Sequence, residues 1–293
     1  MPVMTTAEAE GLRVFRRGKV RDTFELDDDT LLMVATDRLS AFDVVLPTPI
    51  PDKGRVLTQM SRWWFAQTAH ISPNHLLPDD PSVIPAAQRD DWLQRSMHVR
   101  RAERIDIECV VRGYISGSGW KEYRTDGTLA GEPLPSGLRE SGKLDHPRFT
   151  PAAKNDTGHD VNISRANLAD VVGSELAQRL EQVSLDLYNF AAQSSVRRGV
   201  ILADTKFEFG FIDSQLTLID EIFTPDSSRF WDIAQYREGE SVTSMDKQFV
   251  RDFLETLSWD KTPPGPELPP DVVDGTRARY LEAARRICDL ELG

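Results

Sequence analysis

GVILADTKFEFGFIDSQLTLIDEIFT, residues 199–224, decides the reading of this chain. Two runs rich in Val, Ile, Leu and Phe flank Asp213 and Ser214, which is the pattern of a β-hairpin closed by a short turn. Side chains two apart on a strand share a face, so Asp204, Lys206 and Glu208 point one way, and Phe207 and Phe209 point the other. The second strand ends in Asp220 and Glu221, and a hairpin register can bring Asp220 beside Glu208. Carboxylates converging near a lysine suit Mg²⁺ and a polyphosphate, because Mg²⁺ takes one or two carboxylates and completes its shell with phosphate oxygens and water. Strand alternation alone also produces solvated charged faces. The metal and phosphate reading gains weight from IDE at the end of the second strand and from DSSRFWD, with Arg229, a few residues later.

Working outward, residues 11–37 read as short strands around turns: LRVF, VRDTFEL, a DDD turn and the apolar run LLMVA. Gly18, Lys19, Val20 and Arg21 fall at a strand-to-strand turn, where glycine lets backbone approach a ligand. Leu57, Met60, Trp64 and Phe65 have helical spacing. Residues 126–150 read as loop-rich, 164–193 as one long amphipathic helix with Leu176, Leu180, Val183, Leu187 and Phe190 on one stripe, and 246–257 and 272–290 as C-terminal helices. The change in pattern between residues 102 and 112 divides the chain into an N-terminal antiparallel-sheet lobe, 1–108, and a second lobe, 109–293. The class is α+β.

The balance of 35 Lys and Arg against 47 Asp and Glu gives a net charge of −12. A sequence-independent grip on nucleic acid or an anionic membrane needs a basic surface, so neither is expected as a partner. A local cluster of cations in a cleft remains compatible with anionic small molecules. The two cysteines, Cys109 and Cys288, form no metal or disulfide pattern, and residues 1–15 lack the basic then apolar stretch of a signal peptide, so a reducing cytoplasm is expected. No apolar run approaches the ~20 residues of a membrane span.

Three further clusters bear chemistry. GKVR lacks the spacing of a P-loop, yet a glycine turn carrying Lys19 and Arg21 on one strand face can cover phosphates. In ECVVRGYISGSGW, Arg112 ends an apolar strand and Gly117, Ser118 and Gly119 open a helix, a combination that suits phosphate. TDRLSAFDV, KNDTGHDVNIS and SMDKQFVRDF place further polar residues, among them Lys247 and Arg251, at strand ends and turns. Taken singly, each of these is also what a solvated turn looks like.

In this order, GKVRDTFEL, ATDRLSAFDV, ECVVRGYISGSGWKEY, LADTKFEFG and IDEIFTPDSSRFWD resemble the SAICAR synthetase family, and the wording is closer to its longer, fungal-type branch. The resemblance implies a two-lobed α+β fold, with a kinase-like N-terminal lobe and an ATP-grasp-like second lobe. It also implies condensation of 5-aminoimidazole-4-carboxyribonucleotide (CAIR) with L-aspartate at the expense of ATP, with Mg²⁺, through an acyl phosphate. Carried over, Gly18, Lys19, Val20, Arg21 and Lys206 would meet ATP phosphates, and Glu208 and Asp220 would hold Mg²⁺. Residues 102–107, with Arg104 and Asp106, would pass beside adenine. Arg112 and Ser118 would hold the ribonucleotide, and Arg229 a carboxylate. Asp37, Arg38, Ser40, Lys154, Asp156 and Asp160 would line the imidazole and aspartate region, closed by Lys247 and Arg251. A monomer or small homo-oligomer is expected. The competing reading, a small-molecule kinase, would need an HRD-like base motif that the chain lacks.

Overall fold

A computed structural model describes residues 3–154 and 161–292. Asp156 and Asp160 therefore lie outside the described residues. The N-terminal runs form β1 (Arg13–Arg17), β2 (Arg21–Glu25) and β3 (Thr30–Ala35), and β4 (Ser96–Arg100) completes an antiparallel four-stranded sheet in chain order. Between β3 and β4 runs α1 (Lys53–Thr68), which buries Val56, Leu57, Met60, Trp64 and Phe65 on one face.

The larger sheet has eight strands. They are β5 (Glu103–Arg104), β6 (Ile107–Tyr114), β7 (Lys143–Phe149), β8 (Ala152–Ala153), β9 (Val161–Asn162), β10 (Val200–Ile212), β11 (Gln215–Ile219) and β12 (Ser228–Asp232). The expected hairpin is β10–β11. Its register runs from Glu208 opposite Ile219 to Ile212 opposite Gln215, and Asp213 and Ser214 are left-handed, at φ 49° and 62°, as a two-residue hairpin turn requires. The long strand β10 also pairs with β5, β6 and β12, all antiparallel. Gly210 serves this junction, because a Cβ there would stand 2.7 Å from the Glu103 carbonyl oxygen.

Two expectations about secondary structure are corrected. Residues 126–150 are not only loop: β7 pairs with β6 across a register shift between Lys143 and Arg148. Asp145, His146 and Pro147 fall within that irregular stretch and hide the strand pattern, since proline is tolerated in sheets mainly at edges and bulges. The single helix read over 164–193 is two, α3 (Arg165–Val172) and α4 (Ser174–Val196). Gly173 breaks it at φ 85° and ψ 149°, a conformation open essentially to glycine alone. Within α4 the apolar stripe holds, with Leu180 and Leu187 fully buried and Leu176, Val183 and Phe190 packed partly against the core.

One apolar cluster joins the two sheets: Leu31, Met97 and Val99 meet Val111, Phe207 and Leu218, with Trp64 from α1 and Leu187 from α4. After β6 come α2 (Gly117–Asp126) and, near the C-terminus, α5 (Gln248–Glu255) and α6 (Pro270–Cys288). A second cluster of Leu39, Leu46 and Ile50 with Val250, Leu254 and Val272 fastens α5 and α6 to the DRLSAFD segment. Among the described residues, no helix is long and apolar enough to cross a membrane.

Candidate active site

The charged face of β10 carries the alternation expected of it: Asp204, Lys206 and Glu208 alternate with the fully buried Phe207 and Phe209. Lys206 Nζ lies 2.5 Å from Glu108 and 3.6 Å from Glu208, and Lys154 Nζ lies 2.6 Å from Glu208. Burial works against the charge of Glu208, but Lys206 and Lys154 outweigh it and hold the carboxyl below its usual range. Asp220 follows β11 one residue beyond the partner of Glu208, in a left-handed conformation at φ 68°. Its carboxylate accepts from Arg21 at 2.7 Å, and Glu221 accepts from the same guanidinium at 3.1 Å. Burial, with repulsion from Glu208 and Glu221, raises the Asp220 carboxyl despite Arg21.

The glycine turn expected at GKVR is present, with Gly18 N–H donating to the Arg21 carbonyl at 2.7 Å. Its two cations part ways, however. Arg21 turns inward to Asp220, whereas Lys19 is half-exposed and pairs with Asp43, so the two cations engage separate carboxylates. Two other candidate residues bond mainly to nearby backbone and buried charged groups. Asp37 is fully buried and saturated by Met4 N–H at 2.8 Å, the α1 Gly54 N–H at 3.0 Å and Arg95 at 3.0 Å. Arg38 donates to the Gly18 and Lys19 carbonyls at 3.0 and 3.1 Å and pairs with the buried Asp22 at 2.8 Å. The reason is general: loop and helix-start peptide groups withdrawn from water need partners. The DR pair supplies them, shaping the glycine turn from behind. Ser40 lies in a two-residue strand opposite Val45. Arg104 pairs with Asp106 at 2.6 Å, beside the point where Ile105 N–H reaches the β10 carbonyl of Phe209.

Across the sheet from the hairpin lies a cationic cluster. Arg112 on β6 and Arg229 on β12 both bond the same Asp204 oxygen, Arg112 at 3.1 Å, and Arg112 also reaches Ser118 at 3.3 Å. Lys247 and Arg251 have no side-chain hydrogen bond or ion pair among the described residues. Burial brings the Lys247 ammonium down to about 8 although Asp226 supports its charge, and Arg251 and Lys206 push it the same way. Burial lowers the Arg251 guanidinium as well. Held cations without a bonded counter-ion leave room for an anion.

A test of that imbalance comes from its sign. The folded protein binds the Lys247 proton less readily than the unfolded chain, so the cost to stability is complete below about pH 8 and gone by about 10.5. Lys247→Met should therefore raise the melting temperature of the ligand-free protein by a few degrees at pH 7, with the gain vanishing at alkaline pH, while anion affinity falls. A lowered melting temperature at pH 7 would refute it.

Sequence reasoning missed Glu108 and the buried group formed by Lys53, Asp226 and Tyr280. Lys53 Nζ meets Asp226 at 2.7 Å, and Tyr280 Oη donates to its other oxygen at 2.6 Å. Asp226 was visible only as part of TPDSSR, and Lys53 is 173 positions away.

The family model for SAICAR synthetase matches residues 14–266. Phosphoribosylaminoimidazole-succinocarboxamide synthase of Thermodesulfovibrio yellowstonii is 49% identical, covering 97% of this chain and 98% of its own length. That of Polaromonas is 51% identical, covering 96% and 97%. The structure of SAICAR-synthase from Saccharomyces cerevisiae complexed with SAICAR superposes with a TM-score of 0.89 at 41% identity, covering 98% of this chain and 99% of that one. A SAICAR synthetase in complex with ADP gives a TM-score of 0.69 at 26% identity, covering 94% and 98%. With its α+β architecture, its ATP chemistry and its matches along nearly the whole length, the chain belongs to the SAICAR synthetase family, the ATP-dependent ligases of purine biosynthesis that join CAIR to L-aspartate.

Proposed function

We propose that the hairpin and the cationic cluster divide the reaction between them, with nucleotide phosphates over Arg21, Lys206 and the glycine turn, and CAIR held by Arg112, Ser118 and Arg229. The observation that carries this is the pair of half-buried cations, Lys247 and Arg251, that have no ion-pair partner among the described residues and accompany a carboxylate-rich hairpin. Ser116 Oγ, buried at the head of α2 without a hydrogen-bond partner, adds an unsatisfied polar atom beside Ser118.

Mg²⁺ suits the donor set. Glu208 and Asp220 supply hard carboxylate oxygens, and the crowding of negative charge that raises Asp220 favours a cation. No group of three or more ligating side chains exists among the described residues, so phosphate oxygens and water would complete the shell. When bound, the ion would neutralise charge on the transferring phosphoryl group. Lys154, expected in the imidazole and aspartate region, bonds Glu208 and would orient it. The segment from Arg104 to Asp106 would flank adenine.

In the chemical step, a CAIR carboxylate oxygen attacks the γ-phosphorus and the bond to ADP breaks. The aspartate amine then attacks the activated carbonyl carbon, loses a proton, and phosphate departs. Arg112 and Arg229 would hold the carboxylate in line, so positioning and electrostatics provide the rate. The reaction is assigned to a reducing cytoplasm, a reading supported by two free, buried cysteines, and to a monomer or small homo-oligomer. The test is isotopic. With ¹⁸O in the CAIR carboxylate, one label should appear in the released phosphate. Unlabelled phosphate would overturn the acyl phosphate route.

A further inference from the structure

Arg112, Asp204 and Arg229 form a single lateral row across three neighbouring strands. In the β10 ladders, Asp204 stands opposite Arg112 of β6 on one side and opposite Arg229 of β12 on the other, the latter after a bulge between Leu202 and Asp204. One Asp204 oxygen serves both guanidinium groups. Asp204 is 5% exposed and Arg112 6%, so neither group is free to drift in solvent. Two cations on one carboxylate leave a surplus of positive charge whose direction the carboxylate determines.

Residues 117–119 make room for this row. A Cβ on Gly117 would stand 2.5 Å from Arg229 Nη2, and one on Gly119 would stand 2.9 Å from Leu129 Cδ1 and 3.4 Å from Arg112 Cδ. Gly117 is also left-handed, at φ 54°. The glycines of this turn thus serve as seats for arginine side chains, a role separate from the backbone cradle that their sequence suggests.

We infer that Asp204 and Gly117 are positioning residues for CAIR: Asp204 aims Arg112 and Arg229 together from the sheet, and Gly117 keeps the space in which Arg229 lies. Neither needs to touch the substrate. The inference rests on the reading that Arg112 and Arg229 hold CAIR, and the experiment separates the two.

KM values for CAIR, ATP and L-aspartate are measured for Arg112→Ala, Arg229→Ala, Asp204→Asn and Gly117→Ala, and for each positioning variant combined with Arg229→Ala, with melting temperatures alongside. Losing one charge-assisted contact corresponds to about a tenfold to hundredfold change. Asp204→Asn and Gly117→Ala are each expected to raise the KM for CAIR about tenfold, with the ATP value unchanged; once Arg229 is alanine, Gly117→Ala should add nothing and Asp204→Asn only the part that acts through Arg112. Gly117→Ala removes no charge, so it carries the test should Asp204→Asn fail to fold. Full additivity with Arg229→Ala, or an equal rise in the ATP KM, overturns the positioning role. If the two arginine variants themselves leave the CAIR KM unchanged, the placement of CAIR fails first.

Discussion

Glu208→Gln and Asp220→Asn should each lower turnover by about two to three orders of magnitude while the protein remains folded, the scale found when one preorganised electrostatic group is removed from an active site. Both substitutions keep shape and remove charge. Asparagine tolerates the left-handed backbone at Asp220, where φ is 68°. In Glu208→Gln, Lys206 retains Glu108 at 2.5 Å, so the lysine is not stranded. Steady-state turnover at saturating ATP, CAIR and aspartate, with excess Mg²⁺, is the measurement. The Mg²⁺ requirement should also shift upward in both variants, because each replaces one of the two proposed carboxylate ligands with a neutral amide, a weaker ligand for a hard cation. Wild-type turnover in either variant would remove that carboxylate from the catalytic account.

Lys53→Met should cost about 3–5 kcal/mol of stability, because it leaves a buried carboxylate without its principal cation. Lys53 is fully buried at the start of α1, and Asp226 is nearly so, in the loop between β11 and β12. Tyr280 brings α6 to the same carboxylate, so the group ties two helices to the loop that leads into Arg229. Burial opposes the Asp226 charge, and Lys53 and Lys247 overcome it to hold the carboxyl well below the usual range. The double variant Lys53→Met with Asp226→Asn should recover much of the loss, since removing both charges restores the balance that removing one destroys. Denaturant midpoints at constant slope would report this. A single variant within about 1 kcal/mol of wild type would show that Asp226 is not dependent on Lys53.

What could be read from the sequence was local. The β10–β11 hairpin follows from strand alternation and two turn residues, and α1 from the spacing of Leu57, Met60, Trp64 and Phe65. The metal and phosphate candidates on β10 sit on the face that alternation assigns them. Distant pairing was not legible. The row of Arg112, Asp204 and Arg229 depends on which strands flank β10 and on a bulge that resets the register, and neither has a local signature. Lys53 and Asp226 meet only because the start of α1 comes against the β11–β12 loop. The partners of the DR pair were not legible either. Asp37 and Arg38 stand out as charged residues in a loop, whereas the peptide groups they bond, at Gly54, Gly18 and Lys19, have no local signature. The helix break at Gly173 was marked by the glycine itself, yet apolar periodicity continued across it.

The most direct test of the whole account is the release of ADP in the presence of ATP, Mg²⁺, CAIR and L-aspartate, repeated with each omitted in turn. The complete mixture should yield SAICAR in step with ADP, and omission of CAIR should abolish ADP release. ADP formed without CAIR, or ADP formed with no succinocarboxamide product, would contradict the ligase assignment.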